Sequence, residues 1–275
     1  MRKHAILKAL YDIDPKQKEL VIVWLGQNGF LIKSRSRTVF FDPYLSDFAE
    51  QWTFERHNEH VRIHSIPVSP KEIYGVDYVF CSHDHVDHID PFTIPIIALR
   101  NQDTGFIAPK AAENRMLALN VDKKNLFSMR GDDTLELGPL TISAVPAAHS
   151  KLDYDELTGY PYLSYVIQID GVTILHAGDT VPYKGQVEKH SSFDIDLAFL
   201  PINGRKDPAL EMEPNFSIDE AIEFALSVNA GLTIPMHYDM YTLNTAPIAE
   251  FIHKADGKIN YRIAQMGTPF QLKLH

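Results

Sequence analysis

The sequence predicts an α+β fold in which short strands carry polar residues to one rim of a sheet. Three observations predict it. Segments rich in β-formers, Glu19 to Trp24, Phe30 to Ser34 and Thr38 to Phe41, are separated by Gly and polar turns, the pattern of a hairpin-type sheet and not of a Rossmann unit. Helical patterns alternate with later strands. Strand after strand carries polar residues at its C-terminal end: Asp42, the run His83 to His88, His149, Asp179 and His237. Loops at one rim can converge on one cavity, which is where the site is expected.

The 275 residues, 45% of them hydrophobic, suffice for one large domain, and a single domain over 1–275 is expected. The net charge of −10 argues against a chain that tracks a nucleic-acid backbone. Cys81 is the only cysteine, so no intrachain disulfide and no thiolate zinc cluster can form. A single reduced thiol in a strand reads as a core residue and fits a cytoplasmic protein. The N-terminal apolar stretch is broken by Lys8 and is too charged for a signal peptide. No apolar run approaches the length of a membrane span.

In chain order, residues 3 to 11 read as a short helix before a turn at Asp14-Pro15. The turn Gly26-Gln27-Asn28-Gly29 lacks phosphate-loop spacing, so no nucleotide site is expected there. Residues 45 to 73 are polar and without a clear period, and carry Trp52, Phe54, Arg56, His57, His60, Arg62 and His64. A structureless stretch of this length suggests a lid over the site, with Arg56 or Arg62 meeting an anionic substrate; its histidines read singly as solvated. Val76 to Phe80 is a strand. Next come a helix over Pro91 to Leu99, a strand over Gly105 to Ala108, a helix over Ala111 to Leu119, and strands over Thr134 to Leu137 and Leu140 to Val145. Tyr162 to Ile169 and Val172 to Leu175 form a hairpin around Asp170-Gly171. Asp194 to Leu200 is a strand leading to the turn Asn203-Gly204-Arg205. Ser217-Ile218-Asp219-Glu220 is a capping box that opens a helix to about Val228. Leu232 to Met236 is a strand delivering His237. A helix from Pro247 to about Lys254 and a last strand near Ile259 to Ile263 close the chain.

The densest chemistry lies in His83-Asp84-His85-Val86-Asp87-His88-Ile89-Asp90, three histidines and three carboxylates in eight residues. Imidazole and carboxylate are ligand types for zinc and similar ions. The spacing H-x-H-x-D-H suggests two adjacent metal positions. Together with His149, Gly178-Asp179-Thr180 and His237 in order, this run resembles the metallo-β-lactamase superfamily over nearly the whole chain.

The resemblance implies a four-layer αβ/βα sandwich with two metal ions at one edge. It assigns His83, His85 and His149 to the first ion, Asp87, His88 and His237 to the second, and Asp179 as the bridge, each carboxylate oxygen able to serve one ion. It also implies that Asp42 supports the ligands from behind. His176 reads as a supporting or core residue, and Asp84, at an x position, as a residue that shuttles a proton or bonds a ligand. His4, His190, His253 and His275 read as surface residues.

Further stretches are similar to the L-ascorbate-6-phosphate lactonase group: Trp24-Leu25-Gly26, Phe106-Ile107-Ala108-Pro109-Lys110 and Ile234-Pro235-Met236-His237-Tyr238-Asp239. That likeness implies opening of the lactone of a phosphorylated sugar acid, with manganese as the metal; the ligand types alone suit zinc, manganese and iron alike. Candidate substrate contacts are Arg56, Arg62, Asn203, Arg205, Lys206 and Tyr238. The reading is a binuclear hydrolase of a small anionic ester or lactone, acting without nucleic-acid or membrane partners and as a homo-oligomer. A phosphodiesterase of the same fold and a non-catalytic metal-binding scaffold are the alternatives. The short span between Asp179 and His237 leaves no room for the large inserted domain of the superfamily's nucleases.

Overall fold

The computed structural model describes residues 2–56, 59–204 and 214–274. The strands are β1 (Glu19–Gly26), β2 (Gly29–Lys33), β3 (Thr38–Phe41), β4 (Tyr78–Phe80), β5 (Gly105–Pro109), β6 (Leu126–Met129), β7 (Asp133–Leu137), β8 (Leu140–Pro146), β9 (Leu163–Ile169), β10 (Val172–His176), β11 (Leu197–Pro201), β12 (Leu232–Met236) and β13 (Phe270–Lys273). The helices are α1 (Arg2–Asp12), α2 (Phe48–Thr53), α3 (Ile94–Arg100), α4 (Glu113–Ala118), α5 (Gln186–His190), α6 (Ile218–Ser227) and α7 (Ile248–Ala255).

Two sheets form, ordered β13-β1-β2-β3-β4-β5-β6 and β12-β11-β10-β9-β8-β7. Strand β1 shows why they stack. Its side chains alternate between faces, yet both faces are apolar. Leu20, Ile22 and Trp24 enter the core shared with the second sheet, while Val21, Val23 and Leu25 join a core with Leu7 and Leu10 of α1, Ile94 and Ile97 of α3 and Met116 of α4. On the far side of the second sheet lie Ala221, Ile222 and Ala225 of α6 and Phe251 of α7. The result is the expected sandwich of helices, two sheets and helices.

The hairpin reading holds for β1 to β3, which are antiparallel, but β3 to β6 pair in parallel, as do β10 to β12. Asp170 and Gly171 have φ of 50° and 78° in the β9–β10 hairpin, the left-handed pair that an Asp-Gly turn supplies. The Ser217 capping box closes as read, with Ser217 accepting from the Glu220 amide and Glu220 accepting from that of Ser217.

Several expectations change. Helix α3 begins at Ile94 instead of Pro91, which puts Pro95 in its first turn, where a missing N–H costs nothing. Residues 45 to 73 are not structureless: they hold α2 and a short 3-10 turn at Pro70–Glu72 closed by a Ser69 capping box. They are sewn to the loop after β12 by an Arg62–Tyr241 bridge and by the Ile63 amide donating to the Met240 carbonyl. The alternation Ile259, Tyr261, Ile263 yields only a single bridge from Tyr261 to Thr233 beside β12; the last strand is β13, which pairs with β1. Strand β6 and helix α5 are additions. No helix among the described residues is long and apolar enough to cross a membrane.

Strand direction places the site. Strands β1, β3 and β4 run the same way, because two antiparallel steps separate β1 from β3 and a parallel step joins β4. In the second sheet β8, β10 and β12 likewise share a direction. Strands β3, β4, β8, β10 and β12 carry candidate site residues just beyond their C-terminal ends, and the β1–β2 turn lies at the same rim.

Candidate metal centre

The loop after β4 splits its charges. Asp90 turns inward at its far end, accepting from Ser46 Oγ (2.8 Å) and the Phe92 amide (2.9 Å), and so anchors the loop. The remaining ligands face the rim. Three groups of ligand atoms lie within 4.8 Å of one another: His83, His85 and His149; Asp87, His88 and His237; and, between them, His83, His88 and Asp179. The first two groups are the sets that the resemblance assigns to separate ions, and Asp179 falls in the third, with His83 and His88.

Asp179 uses its oxygens unequally. Its Oδ2 lies 3.2 Å from His237 Nε2, 3.4 Å from His149 Nε2 and 3.5 Å from His88 Nε2. Its Oδ1 accepts from Asn28 Nδ2 at 2.6 Å. One oxygen, not one for each ion, therefore faces both groups, because the other is already taken.

The imidazoles are held from behind. His88 Nδ1 meets Asp42 Oδ2 at 2.8 Å, and Asp42 also accepts from the Ser82 amide and hydroxyl, both at 2.7 Å. His149 Nδ1 donates to the Pro214 carbonyl at 3.1 Å. Such bonds fix the tautomer that turns Nε2 inward. His88 Nε2 is buried and makes no hydrogen bond among the described residues, which fits a nitrogen that would ligate an ion.

The electrostatics point the same way. Burial works against charge on His88, but Asp179, Asp42 and Asp87 surround it and hold its imidazole well above the ordinary range. Burial would raise Asp179, yet His237 and His88 hold it well below the usual carboxylate range. Asp87 is likewise opposed by burial and drawn down to about 2 by His88 and His237. His83 and His149 are lowered, first by burial; His88 and His85 reinforce the effect on His83. Anionic Asp87 and Asp179 beside His83 and His149, which burial keeps neutral, suit a divalent cation, and the raised His88 shows how strongly the carboxylates favour positive charge at that point. The donor set therefore fits divalent metal ions, with a nitrogen-rich group and mixed ones.

Beside this cluster opens a cavity of about 380 Å³. Ala49, Trp52, Thr53 and His60 form one wall, Asn215 and Asn244 another, and Asp84, His85, Val86 and Asp87 the floor next to the ligands. Asp84 is half-exposed at this edge, 3.5 Å from Arg115 Nε, and burial raises its carboxyl in spite of Arg115.

Other expected contacts fall elsewhere. Arg56 is exposed, with its guanidinium 5.6 Å from the centre of the Trp52 ring at the mouth. Arg62 is not in the wall: its Nε donates to the Ser46 carbonyl at 3.0 Å and its head stacks over Tyr44. Tyr238 is a core residue, stacked on Trp24 at 4.8 Å with its hydroxyl toward the Ala264 carbonyl, because His237 at φ 60° turns the chain away from the rim. Asn203 lies behind the wall, donating to Asn244 and accepting from Asn215. Arg205 and Lys206 lie outside the described residues, as do His57 and His275.

His176 is buried, stacked on Phe41 at 4.6 Å, and donates from Nε2 to the Asn28 carbonyl; it belongs to none of the ligand groups. Cys81 is buried, and burial pushes its thiol up. His64 is exposed against Asp239, and His253 is exposed as expected. His190 is a correction: it is 1% exposed, edge-on to Phe224, and burial lowers it to about 4. His60 is another, half-buried in the cavity wall and within 3.3 Å of Asn244 Nδ2.

Sequence reasoning also passed over Tyr162, whose ring stands 5.3 Å from His83 and 5.5 Å from His149, and for which the sequence holds no signal. It passed over Gln27 and Asn28 too. Strand parity was the available signal there, since the β1–β2 turn ends a strand parallel to β3.

Residues 37–238 match the family model described as the β-lactamase superfamily domain. A UPF0173 metal-dependent hydrolase of Nanoarchaeum equitans is 29% identical over 242 residues, covering 86% of this chain and 92% of that one. Another, from Thermococcus kodakarensis, is 28% identical over 261 residues, covering 91% and 99%. Among solved structures, Igni18, a metallo hydrolase from Ignicoccus hospitalis, aligns with a TM-score of 0.68 at 19% identity, over 92% of this chain and 98% of that one. The family match takes in every one of the ligand positions from His83 to His237, and the chain belongs to the β-lactamase superfamily.

Proposed function

We propose that the protein is a metal-dependent hydrolase that opens a small ester or lactone at a two-ion centre. The observation that carries the reading is the convergence of His83, His85, His149, Asp87, His88, His237 and Asp179 on one rim beside an open cavity. Two divalent ions, zinc or manganese first and iron as the alternative, supply an activated hydroxide near neutral pH and polarise the substrate carbonyl when bound. The chain's own residues do the rest. His83, His85 and His149 would hold one ion, Asp87, His88 and His237 the other, and Asp179 both. Asp42 and Pro214 keep His88 and His149 turned inward. Asp84, at the cavity edge with its carboxyl raised, is placed to pass a proton to the leaving alkoxide.

Trp52, Thr53, His60 and Asn244 would hold the body of the substrate. An anionic substituent would reach Arg56 at the mouth, as guanidinium pairs with phosphate and carboxylate. L-Ascorbate 6-phosphate is the specific candidate, on the likeness of the motifs around Trp24, Phe106 and Ile234.

The test is metal analysis of the purified protein together with a panel of esters, simple lactones, sugar-phosphate lactones and a phosphodiester chromogen. The expected result is two ions per chain and ester or lactone turnover abolished by a chelator. Phosphodiester turnover without ester or lactone turnover would replace this reading. His237→Ala is expected to lose one ion and most activity; full activity in that variant would overturn the two-ion centre.

A further inference from the structure

The turn between β1 and β2 is built in a costly way. Gln27 is not a glycine, yet it sits at φ 46°, a region that L side chains adopt reluctantly. Before it, Gly26 is at φ 102°, and a Cβ there would come within 2.1 Å of Met240 Cε. Gln27 and Asn28 are both fully buried.

The carbonyls of the turn brace the surrounding structure, and its side-chain amides point at the site. The Gln27 carbonyl accepts from the His237 amide (3.2 Å) and from Trp24 Nε1 (2.9 Å). The Asn28 carbonyl accepts from His176 Nε2. Gln27 Nε2 donates to Asp87 Oδ2 at 3.1 Å, and Asn28 Nδ2 donates to Asp179 Oδ1 at 2.6 Å. The amide oxygens, Gln27 Oε1 and Asn28 Oδ1, are buried and find no donor among the described residues. A buried acceptor left without a donor is destabilising. Turning either amide over would satisfy nothing, since it would set an oxygen against a carboxylate. A turn selected only for stability would carry neither the strained residue nor the two orphaned oxygens.

We infer that Gln27 and Asn28 are positioning residues of the metal centre: each amide holds one oxygen of a ligand carboxylate and presets the other for the ions. Asn28 leaves Oδ2 of Asp179 as the oxygen facing His88, His149 and His237. Gln27 leaves Oδ1 of Asp87, on the His88 side, uncommitted to the turn. The carboxylates are thereby oriented before any ion arrives, and the effect belongs to metal affinity ahead of the chemical step. The inference rests on the two-ion reading proposed above and needs no knowledge of the substrate.

The test is titration of metal-stripped protein with Mn²⁺ and with Zn²⁺ against a chromogenic chelator, for the wild type, Gln27→Ala, Asn28→Ala and the milder Asn28→Ser. Phe30→Leu, in the core of β2, serves as a control for general destabilisation. The expected result is two ions per chain in the wild type and in Phe30→Leu, with affinity for at least one ion about 10- to 100-fold weaker in each alanine variant. Asn28→Ser, which keeps a hydroxyl donor, should lie between. Turnover of any hydrolysed ester, measured at saturating metal, should recover in the variants more fully than at limiting metal. Affinities within twofold of wild type in the folded turn variants, or losses matched by Phe30→Leu, would overturn the inference. A wild type that binds no ions would overturn both it and the two-ion reading, whereas tight binding without ester or lactone turnover would count against the hydrolase alone.

Discussion

At the scale of single residues, the same chemistry does opposite work in different places. Asp84 and Asp87 stand three apart in one loop. Asp87 is drawn to about 2 among imidazoles, while Asp84, at the cavity edge with Arg115 near it, is raised by burial. Only Asp84 is free of the ligand groups, so Asp84→Asn should leave both ions bound and lower kcat by about 100-fold or more, the scale of a lost proton-transfer group. Steady-state kinetics with parallel metal analysis decides this, and an unchanged kcat would reduce Asp84 to a surface partner of Arg115. His190 offers a second case. Buried against Phe224, it has a folded pKa of about 4, below its ordinary 6.5. The unfolded chain therefore takes up the proton first as pH falls. The cost to stability is absent above about pH 6.5, grows through the interval and is complete below about 4. Replacing it by Leu should change little at pH 7.5 and should make the protein more stable than wild type by about 2 kcal/mol at pH 5. Urea midpoints at the two pH values report the difference, and a pH-independent difference would show that His190 does not titrate in this window.

At the scale of elements, the ligands owe their positions to how strands end. Gly178 precedes Asp179 at the exit of β10, at φ 61°, and a Cβ there would lie 2.8 Å from Ser82 Cβ and 3.0 Å from the Leu163 carbonyl. Both neighbours belong to the rim, one in the β4 loop and one at the start of β9, so neither can give way without moving a ligand. Gly178→Ala is expected to cost about 2–5 kcal/mol, combining left-handed strain with overpacking, and to weaken metal binding because Asp179 is the next residue. Denaturant midpoints and bound metal per chain should fall together; a stable variant with weakened metal binding would mean that the strain is released entirely into Asp179.

The strand ends also explain what the sequence could reveal. Ligand order along the chain was legible because each ligand follows a short apolar run, and β-strands advertise their ends with polar residues. Gln27 and Asn28 were legible only in place, since the expected hairpins make β1 parallel to β3; that their amides meet Asp87 and Asp179 depends on tertiary packing that no local pattern encodes. The alternation Ile259, Tyr261, Ile263 predicted a strand, but which segment completes an edge is decided by the neighbour available, and β1 takes Phe270–Lys273. His190 misled because a lone histidine on a short helix carries no sign of which face is buried. Tyr238 misled because it follows His237 directly, and a single left-handed residue sends adjacent side chains to different sides of the structure.

At the scale of the whole molecule, the centre joins the two sheets. The Asp42 support and the His83-to-His88 loop come from the first sheet; His149, Asp179 and His237 come from the second. Between the sheets lies a continuous apolar core that includes Leu20 and Phe199 and none of the candidate ligands. Two consequences follow from that division. The metal-stripped protein should still fold, since the core is intact without the rim. On the two-ion reading proposed above it should also be measurably less stable, since ions would bind only when both sheets present their ligands together, and binding to the native state alone adds to stability by mass action. With free metal at a hundred times its dissociation constant, each ion contributes about 2.7 kcal/mol, and two contribute about 5. A chain of this size shifts its melting temperature by about 2 °C for each kcal/mol, so a chelator should lower it by roughly 10 °C while the transition stays cooperative. Differential scanning calorimetry at several free-metal concentrations measures the slope directly. A melting temperature independent of metal would mean that no ion binds the native centre, and two separate transitions after chelation would mean that the sheets are held together by the rim and not by the core.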